Sequence, residues 1–164
     1  MDTNYATPSS TKIGHIHLKV ADLKRSLAFY CDLLGFKCVS KMGPDVAFIS
    51  AGDYHHHIGL NTWYSKDSVP PSNNKTGLFH FALLYPTRKD LAIIYKRLLD
   101  ENYPFTGVAD HGVSEAVYLS DPDQNGLELY ADKPQHLWPK DENGEIKMST
   151  QPLDILSLLS ELEG

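Results

Sequence analysis

Apolar and polar residues alternate along several short segments of this 164-residue chain, and between these segments apolar residues recur at helical spacing. Strict alternation predicts a strand with one buried face, and recurrence every three to four residues predicts an amphipathic helix. The first strand is expected over residues 13–20. A helix capped by Asp22 and ended near Gly35 follows it. Further strands are predicted over residues 38–40, 46–50 and 55–62.

The same order of elements recurs in the second half of the chain. The pattern predicts a strand over residues 78–85, a helix over about 89–101, and strands over 105–108, 116–120 and 127–131. A shift of 65 residues superposes His15 on His80, and a shift of 69 superposes Gly59 on Glu128. Each half is therefore βαβββ, and the predicted fold class is α+β. The two paired modules are expected to form a cupped, open-barrel mixed sheet with helices outside.

This pattern divides the chain into three parts. Residues 1–11 form a flexible N-terminal tail, and residues 12–132 form the domain, with modules at about 12–64 and 77–132 joined by a polar linker. Residues 133–164 form a Pro-rich arm and a short C-terminal helix. The apolar stripe of that helix is expected to pack on its own domain. The stripe and the open cup also offer surface for a homodimer, which is the expected oligomeric state.

The composition excludes several classes of function. The chain carries 15 basic and 21 acidic residues, a formal net charge of −6, and no run of Lys or Arg. Nucleic acid and anionic membrane are therefore not expected partners. Residues 1–11 are polar and are not expected to act as a secretory signal, and no apolar stretch approaches the ~20 residues of a membrane span. Cys31 and Cys38 are too few for a disulfide framework, so a cytoplasmic protein is expected.

Three residues in alternating segments carry the candidate chemistry. His15 and His80 open the matching segments HIHLKV and HFALLY, and Glu128 lies in LELYA. Two histidines and one carboxylate from different strands can occupy one face of a divalent metal and leave its other positions open. This arrangement is typical of non-haem Fe(II) oxygenases. An open coordination sphere indicates chemistry on a bound ligand, whereas structural metal sites are normally closed.

The chain resembles the vicinal oxygen chelate superfamily, which includes glyoxalase I, fosfomycin-resistance proteins and type I extradiol dioxygenases. The resemblance lies in GHIHLKVADLKRSLAFYCDLLGF, LFHFALLYP and VYLSDPDQNGLELYAD, together with the paired βαβββ order. It implies a metal held by His15, His80 and Glu128. Within the superfamily, the chain most resembles catechol 2,3-dioxygenase-like proteins. That likeness implies Fe(II), with Mn, Ni, Co or Zn as other metals that the ligands would accept.

Two further residues receive roles from this resemblance. HHHIGL is similar to a strand of extradiol enzymes whose second histidine is the catalytic acid–base, which assigns that role to His56. Tyr118 precedes Glu128 by the interval at which these enzymes hold a tyrosine beside the substrate. Alternation sends His56 and His57 to opposite faces, and which face lines the cavity stays open. His111, in the loop before Tyr118, is interpreted as a candidate lid residue.

The expected function is extradiol cleavage of a small aromatic vicinal diol by O₂. The repeat places Gly59 where four-ligand glyoxalases have a carboxylate, and this disfavours glyoxalase-type isomerase chemistry. Two alternatives stay open. One is a metal-dependent isomerase, lyase or thiol transferase on the same fold, and the other is a resistance protein that sequesters an aromatic ligand without turnover.

Overall fold

The structure is a computed structural model that describes residues 4–72 and 74–163. Two compact units divide the chain, Met1–Ser68 and Val69–Gly164. Each unit holds a four-stranded mixed sheet with a helix between its first and second strands. The predicted α+β class and the two βαβββ modules are therefore confirmed. The first three residues of the predicted N-terminal tail lie outside the described residues.

The first unit builds its sheet in the order β1-β4-β3-β2, with β1 and β4 parallel and the other neighbours antiparallel. A π-helical segment, Ala28–Leu33, continues its helix. The elements of this unit are β1 (Ile16–Lys19), α1 (Leu23–Leu27), β2 (Lys37–Lys41), β3 (Val46–Ser50) and β4 (Ile58–Asn61).

Local chemistry sets both ends of the first helical segment. The Asp22 carboxylate accepts a hydrogen bond from the backbone N–H of Arg25 at 3.0 Å, which satisfies a free donor of the first turn. Gly35 adopts φ +84°, a conformation that glycine reaches without steric cost, and the chain turns there into β2. Along β1, Leu18 is buried while His17 is exposed, so one face of the sheet carries the core and the other stays open.

The second unit repeats the design with longer elements. Its sheet order is β5-β8-β7-β6, again with only the first pair parallel. Thr87 caps the helix through its side chain. Leu127 and Leu129 bury one face of the central strand. The elements are β5 (Phe81–Leu84), α2 (Arg88–Asp100), β6 (Phe105–Asp110), β7 (Ser114–Ser120) and β8 (Gly126–Asp132).

The C-terminal helix α3 (Ile155–Ser160) packs against α2 of its own unit. Leu158 is fully buried there. The Arg88 guanidinium of α2 donates to the Ser157 carbonyl of α3 at 2.9 Å and to Glu161 at the end of α3 at 2.8 Å, and so joins the two helices. It also donates to Glu115 of β7 at 2.6 Å. The apolar stripe of α3 therefore covers its own unit, and only Leu156 of the stripe stays largely exposed.

The predicted strand over 55–62 is wrong at its beginning. β4 starts only at Ile58, and the three histidines before it lie in the loop from β3. His57 holds this loop, because its Nδ1 lies 3.0 Å from the Ser50 hydroxyl and 3.3 Å from the Ala51 backbone nitrogen. Alternation along a strand therefore cannot assign opposite faces to His56 and His57, because both precede β4.

Both cysteines are free thiols. Within residues 4–72 and 74–163, none of the helices combines the length and the apolar character that crossing a membrane would demand.

Candidate functional site

Three adjacent strands of the second unit, β5, β8 and β7, bring His80, Glu128 and Tyr118 to one face. Glu128 on β8 lies between Ala82 of β5 and Tyr118 of β7 in the sheet register. Residues directly opposite in neighbouring strands share a face. His80 precedes Ala82 by two residues and therefore points to the same side. Leu127 and Leu129 point to the buried side, so the candidate residues occupy the open face.

The side chains of His80 and Glu128 are in direct contact. His80 Nε2 lies 3.0 Å from Glu128 Oε2, and both side chains are less than one-third exposed. Two ligand atoms bound at right angles to one divalent ion, each at about 2.1 Å, would lie about 3.0 Å apart. The donor types and their spacing therefore fit two neighbouring ligands of a metal.

Tyr118 supports the carboxylate from the other side. Its hydroxyl donates to Glu128 Oε1 at 3.0 Å and leaves Oε2 facing His80. Burial, followed by the hydrogen bond to Glu128 and the charge of that carboxylate, raises the pKa of Tyr118 to about 12. The hydroxyl therefore keeps its proton at neutral pH and acts as a donor.

His111 joins this cluster, which sequence reasoning did not anticipate. Its Nε2 lies 2.6 Å from the Tyr118 hydroxyl, and its Nδ1 lies 2.8 Å from the carbonyl oxygen of Ser149. The register of the β6–β7 hairpin explains why His111 lies on the same face as Tyr118. Gly107 pairs with Tyr118 and Ala109 with Ala116, so residue 111 continues the same face.

A cavity of about 950 Å³ opens beside this cluster within the second unit. Its volume lies in the range of small-molecule sites. Two of the candidate residues, His80 and Tyr118, contribute to its wall, and Glu128 lies between them in the sheet. Other lining residues are Phe79, Gly107, Ser120 and Gly126.

The first unit has different residues at the matching positions. Gly59 on β4 lies between His17 of β1 and Phe48 of β3, as Glu128 lies between Ala82 and Tyr118 in the other unit. The His17 imidazole covers Gly59, and a Cβ placed there would lie 2.9 Å from the ring. The space that a fourth, carboxylate ligand would need is therefore filled by an imidazole.

His15 and His56 lie together in the first unit. Their ring centroids are 4.4 Å apart, and the Phe48 ring lies 5.0 Å from that of His56. His55 Nδ1 and His56 Nδ1 are 2.7 Å apart. Partial burial, and then the neighbouring histidines with His15 first, lower the pKa of His56 below its ordinary value. His56 is therefore mostly neutral at neutral pH.

The structure thus brings the predicted residues together in two groups, one in each unit. His80, Tyr118 and Glu128 form the first group, and His15 and His56 form the second. Among the side chains that the structure describes, no three His, Cys, Asp or Glu residues converge in a metal-binding cluster. The three-ligand set and the roles of His56 and Tyr118 therefore stay predictions.

Comparison with known proteins identifies the relatives of this chain. It is 41% identical to a catechol-2,3-dioxygenase of Bacillus subtilis (strain 168) over 152 residues, which are 92% of this chain and 52% of that protein. It is 29% identical to biphenyl-2,3-diol 1,2-dioxygenase 3 of Rhodococcus globerulus over 121 residues, 74% of this chain and 63% of that one. The chain therefore spans about half to two-thirds of these relatives.

Solved structures share the fold at lower identity. A glyoxalase/dioxygenase from Nostoc punctiforme gives a TM-score of 0.62 at 19% identity, covering 82% of this chain and 99% of that one. A lactoylglutathione lyase from Agrobacterium tumefaciens gives 0.58 at 21% identity, covering 76% and 96%. Residues 12–129 match the family model described as Glyoxalase/Bleomycin resistance protein/Dioxygenase superfamily. This match covers most of the chain, which therefore belongs to the glyoxalase/bleomycin resistance protein/dioxygenase superfamily.

Proposed function

We propose that this chain is an extradiol-type dioxygenase that cleaves a small aromatic vicinal diol with O₂. The observation that carries the proposal is the contact of His80 Nε2 with Glu128 Oε2 at 3.0 Å, on the open face that also holds Tyr118. The names of the two curated relatives, a catechol dioxygenase and a biphenyl-diol dioxygenase, support an aromatic vicinal diol as substrate.

We propose His15, His80 and Glu128 as the ligands of a ferrous ion. Two imidazoles and one carboxylate are the donor set of non-haem Fe(II) oxygenases, although the same donors accept other divalent ions. When bound, ferrous iron would supply Lewis acidity toward the diol and the redox capacity that reaction with O₂ requires. The Tyr118 hydroxyl holds Glu128 by Oε1, which keeps Oε2 directed toward His80.

His56 is the proposed base. His56 Nδ1 lies 2.7 Å from His55 Nδ1. In the tautomer whose Nδ1–H donates to His55, Nε2 is bare and would accept a hydroxyl proton of the diol. Because the pKa of His56 is lowered, the neutral ring is the dominant form at neutral pH. The same nitrogen would return the proton later in the reaction. Tyr118, which stays protonated, would turn its single O–H from Glu128 to a substrate oxygen when the diol binds.

Oxygen uptake by the iron-loaded protein tests this proposal. The protein would be loaded anaerobically with Fe(II), mixed with a panel of catechols in an oxygen-electrode cell, and compared with protein loaded with Zn²⁺, which has no redox chemistry. We expect equimolar loss of O₂ and catechol, with a yellow ring-cleavage product, from the iron form alone. Bound metal without O₂ uptake would contradict the dioxygenase and point to an isomerase, lyase or transferase. Ligand binding without any metal would point to a sequestering protein.

A further inference from the structure

A C-terminal arm, residues 133–153, is hydrogen-bonded to the turn between β6 and β7. Asp110 and Gln151 exchange two backbone hydrogen bonds of 2.8 and 2.9 Å, and the backbone N–H of Ser149 donates to the His111 carbonyl at 3.1 Å. Lys133 Nζ lies 2.7 Å from both carboxylate oxygens of Asp110. The arm is therefore held against the turn by main-chain and charged contacts together.

Packing also fits the arm to this turn. Gly112 adopts φ +78°, and a Cβ there would lie 3.0 Å from the Pro139 side chain. The backbone of the turn can therefore approach the arm this closely because residue 112 has no side chain. The contact positions His111, the residue before Gly112, between the arm on one side and Tyr118 on the other.

The hydrogen-bond partners of His111 determine which of its ring nitrogens carries the hydrogen. The Ser149 carbonyl oxygen, 2.8 Å from His111 Nδ1, has lone pairs and no proton, so Nδ1 must carry the hydrogen. A neutral ring then has a bare Nε2, which is an acceptor. That atom faces the Tyr118 hydroxyl at 2.6 Å.

Tyr118 has one proton and two acceptors. Its hydroxyl lies 2.6 Å from His111 Nε2 and 3.0 Å from Glu128 Oε1. A single O–H cannot donate fully to both atoms. When the proton turns to His111, the Glu128 carboxylate loses a hydrogen bond and becomes a stronger electron-pair donor. His111 and Glu128 therefore compete for the same proton.

We infer that the C-terminal arm is a working part of this site. The Ser149 carbonyl holds His111 as its Nδ1–H tautomer, and His111 Nε2 then positions the Tyr118 hydroxyl and draws its proton away from Glu128. His111 is thus a positioning residue that acts on the candidate metal ligand through Tyr118. The inference relies on the proposed function only in treating Glu128 as a metal ligand, and the tautomer can be tested without metal.

The first test is nitrogen NMR of the histidine side chains in the metal-free protein, at a pH where imidazoles are neutral. We expect a signal from a ring with a protonated Nδ1 and a bare Nε2, the form that free histidine disfavours, and its absence from His111→Gln would assign that signal to His111. The signal should persist in Tyr118→Phe, because Ser149 sets the tautomer. A protonated Nε2 and bare Nδ1 on His111 would overturn the inference.

The second test measures Co²⁺ affinity in a double-mutant cycle. His111→Phe removes the competing acceptor, so the Tyr118 proton stays on Glu128, and we expect Co²⁺ to bind roughly 10-fold more weakly. His111→Gln, which can offer its amide oxygen near the Nε2 position, should restore part of this affinity. In a Tyr118→Phe background the His111→Phe change should have no further effect.

An equal loss of Co²⁺ affinity in both backgrounds would contradict the route through Tyr118. Failure of the wild-type protein to bind Co²⁺ at all would count against the proposed function. The tautomer measurement on metal-free protein would still decide whether the arm acts on His111, so the two failures are distinguishable.

Discussion

The two units share one βαβββ design but differ at the centre of the open face. The second unit places Glu128 between Ala82 and Tyr118, whereas the first places Gly59 between His17 and Phe48. The buried faces of both sheets are filled by aliphatic side chains. The repeated core therefore preserves the scaffold in each unit, and the chemistry is decided by a few residues on the other face.

The glycine of the first unit is compensated by a neighbour. The His17 ring lies over Gly59, and the second unit has Ala82 where the first has His17. Small and large residues have thus exchanged places between adjacent strands. Ala82 leaves space beside Glu128 in the second unit, whereas His17 fills the corresponding space beside Gly59 in the first.

Removing the charge of Glu128 should have the largest effect. Glu128→Gln keeps the shape of the side chain but loses the anionic oxygen, so we expect Fe(II) affinity and O₂ uptake to fall by at least about a hundred-fold. Glu142→Gln, at an exposed position, is the matched control and should leave both unchanged. Metal titration by calorimetry under anaerobic conditions is the measurement. Wild-type affinity in Glu128→Gln would refute the ligand assignment.

Exchanging the aromatic residues beside the central position tests whether the two units differ in chemistry there. Tyr118→Phe gives the second unit the residue that the first has, and it removes the hydrogen bond to Glu128. We expect kcat for diol cleavage to fall by about 10- to 100-fold while the metal is retained. Phe48→Tyr makes the reverse change in the first unit, and we expect it to change kcat by less than about two-fold. Equal losses in the two variants would show that the units do not differ as described.

Replacing Gly59 by alanine tests how closely the His17 ring packs over this position. Gly59→Ala would place a Cβ 2.9 Å from the His17 ring, and we expect the free energy of unfolding to fall by about 1–3 kcal/mol. In a His17→Ala background the same change should cost far less, because the ring has been removed. Denaturant unfolding of the four proteins gives the cycle. An equal loss of unfolding free energy in the wild-type and His17→Ala backgrounds would show that the His17 ring does not cause it.

We expect the smallest effect from a change at Tyr103. This residue follows α2 in the second unit, and Phe36 holds the matching position after the helical segment of the first unit. The Tyr103 hydroxyl donates to the Ser120 carbonyl at 2.7 Å, so Tyr103→Phe should cost about 1 kcal/mol of unfolding free energy. Burial, and then the charge of Asp121, raise the pKa of Tyr103 to about 12.

The pH dependence of that variant follows from the same shift. An unfolded tyrosine ionises near pH 10, before the folded one, so the stabilisation from Tyr103 is complete below pH about 10 and is lost as pH rises toward about 12. Tyr103→Phe should reduce this alkaline loss. Denaturant midpoints measured from pH 9 upward check the result, and an identical alkaline slope in both proteins would show that Tyr103 does not cause it.

The parts of the structure that follow local rules were predictable from the sequence. Alternation and the internal repeat located β3 and α2 closely, and they placed His80, Tyr118 and Glu128 on one sheet. Periodicity did not predict the π-helical segment or the late start of β4. The loop before β4 is held by contacts such as that of His57 with Ser50, which periodicity does not encode.

The contribution of His111 was harder to foresee for a different reason. Its partner Ser149 lies 38 residues away in a segment without regular periodicity. The hairpin register points His111 toward Tyr118, but nothing local shows that the arm returns to this turn. Long-range pairing of irregular segments is therefore the part that sequence reasoning missed.

The iron content of the purified protein decides whether His80 binds a metal. The protein would be purified without oxygen and analysed for its elements beside His80→Ala, with His136→Ala as the control at an exposed histidine. We expect close to one iron ion per chain in the wild type and the control, and almost none in His80→Ala, with thermal unfolding of the metal-free forms unchanged. Full iron occupancy in His80→Ala, or a wild-type protein that holds no metal, would refute the proposed metal site.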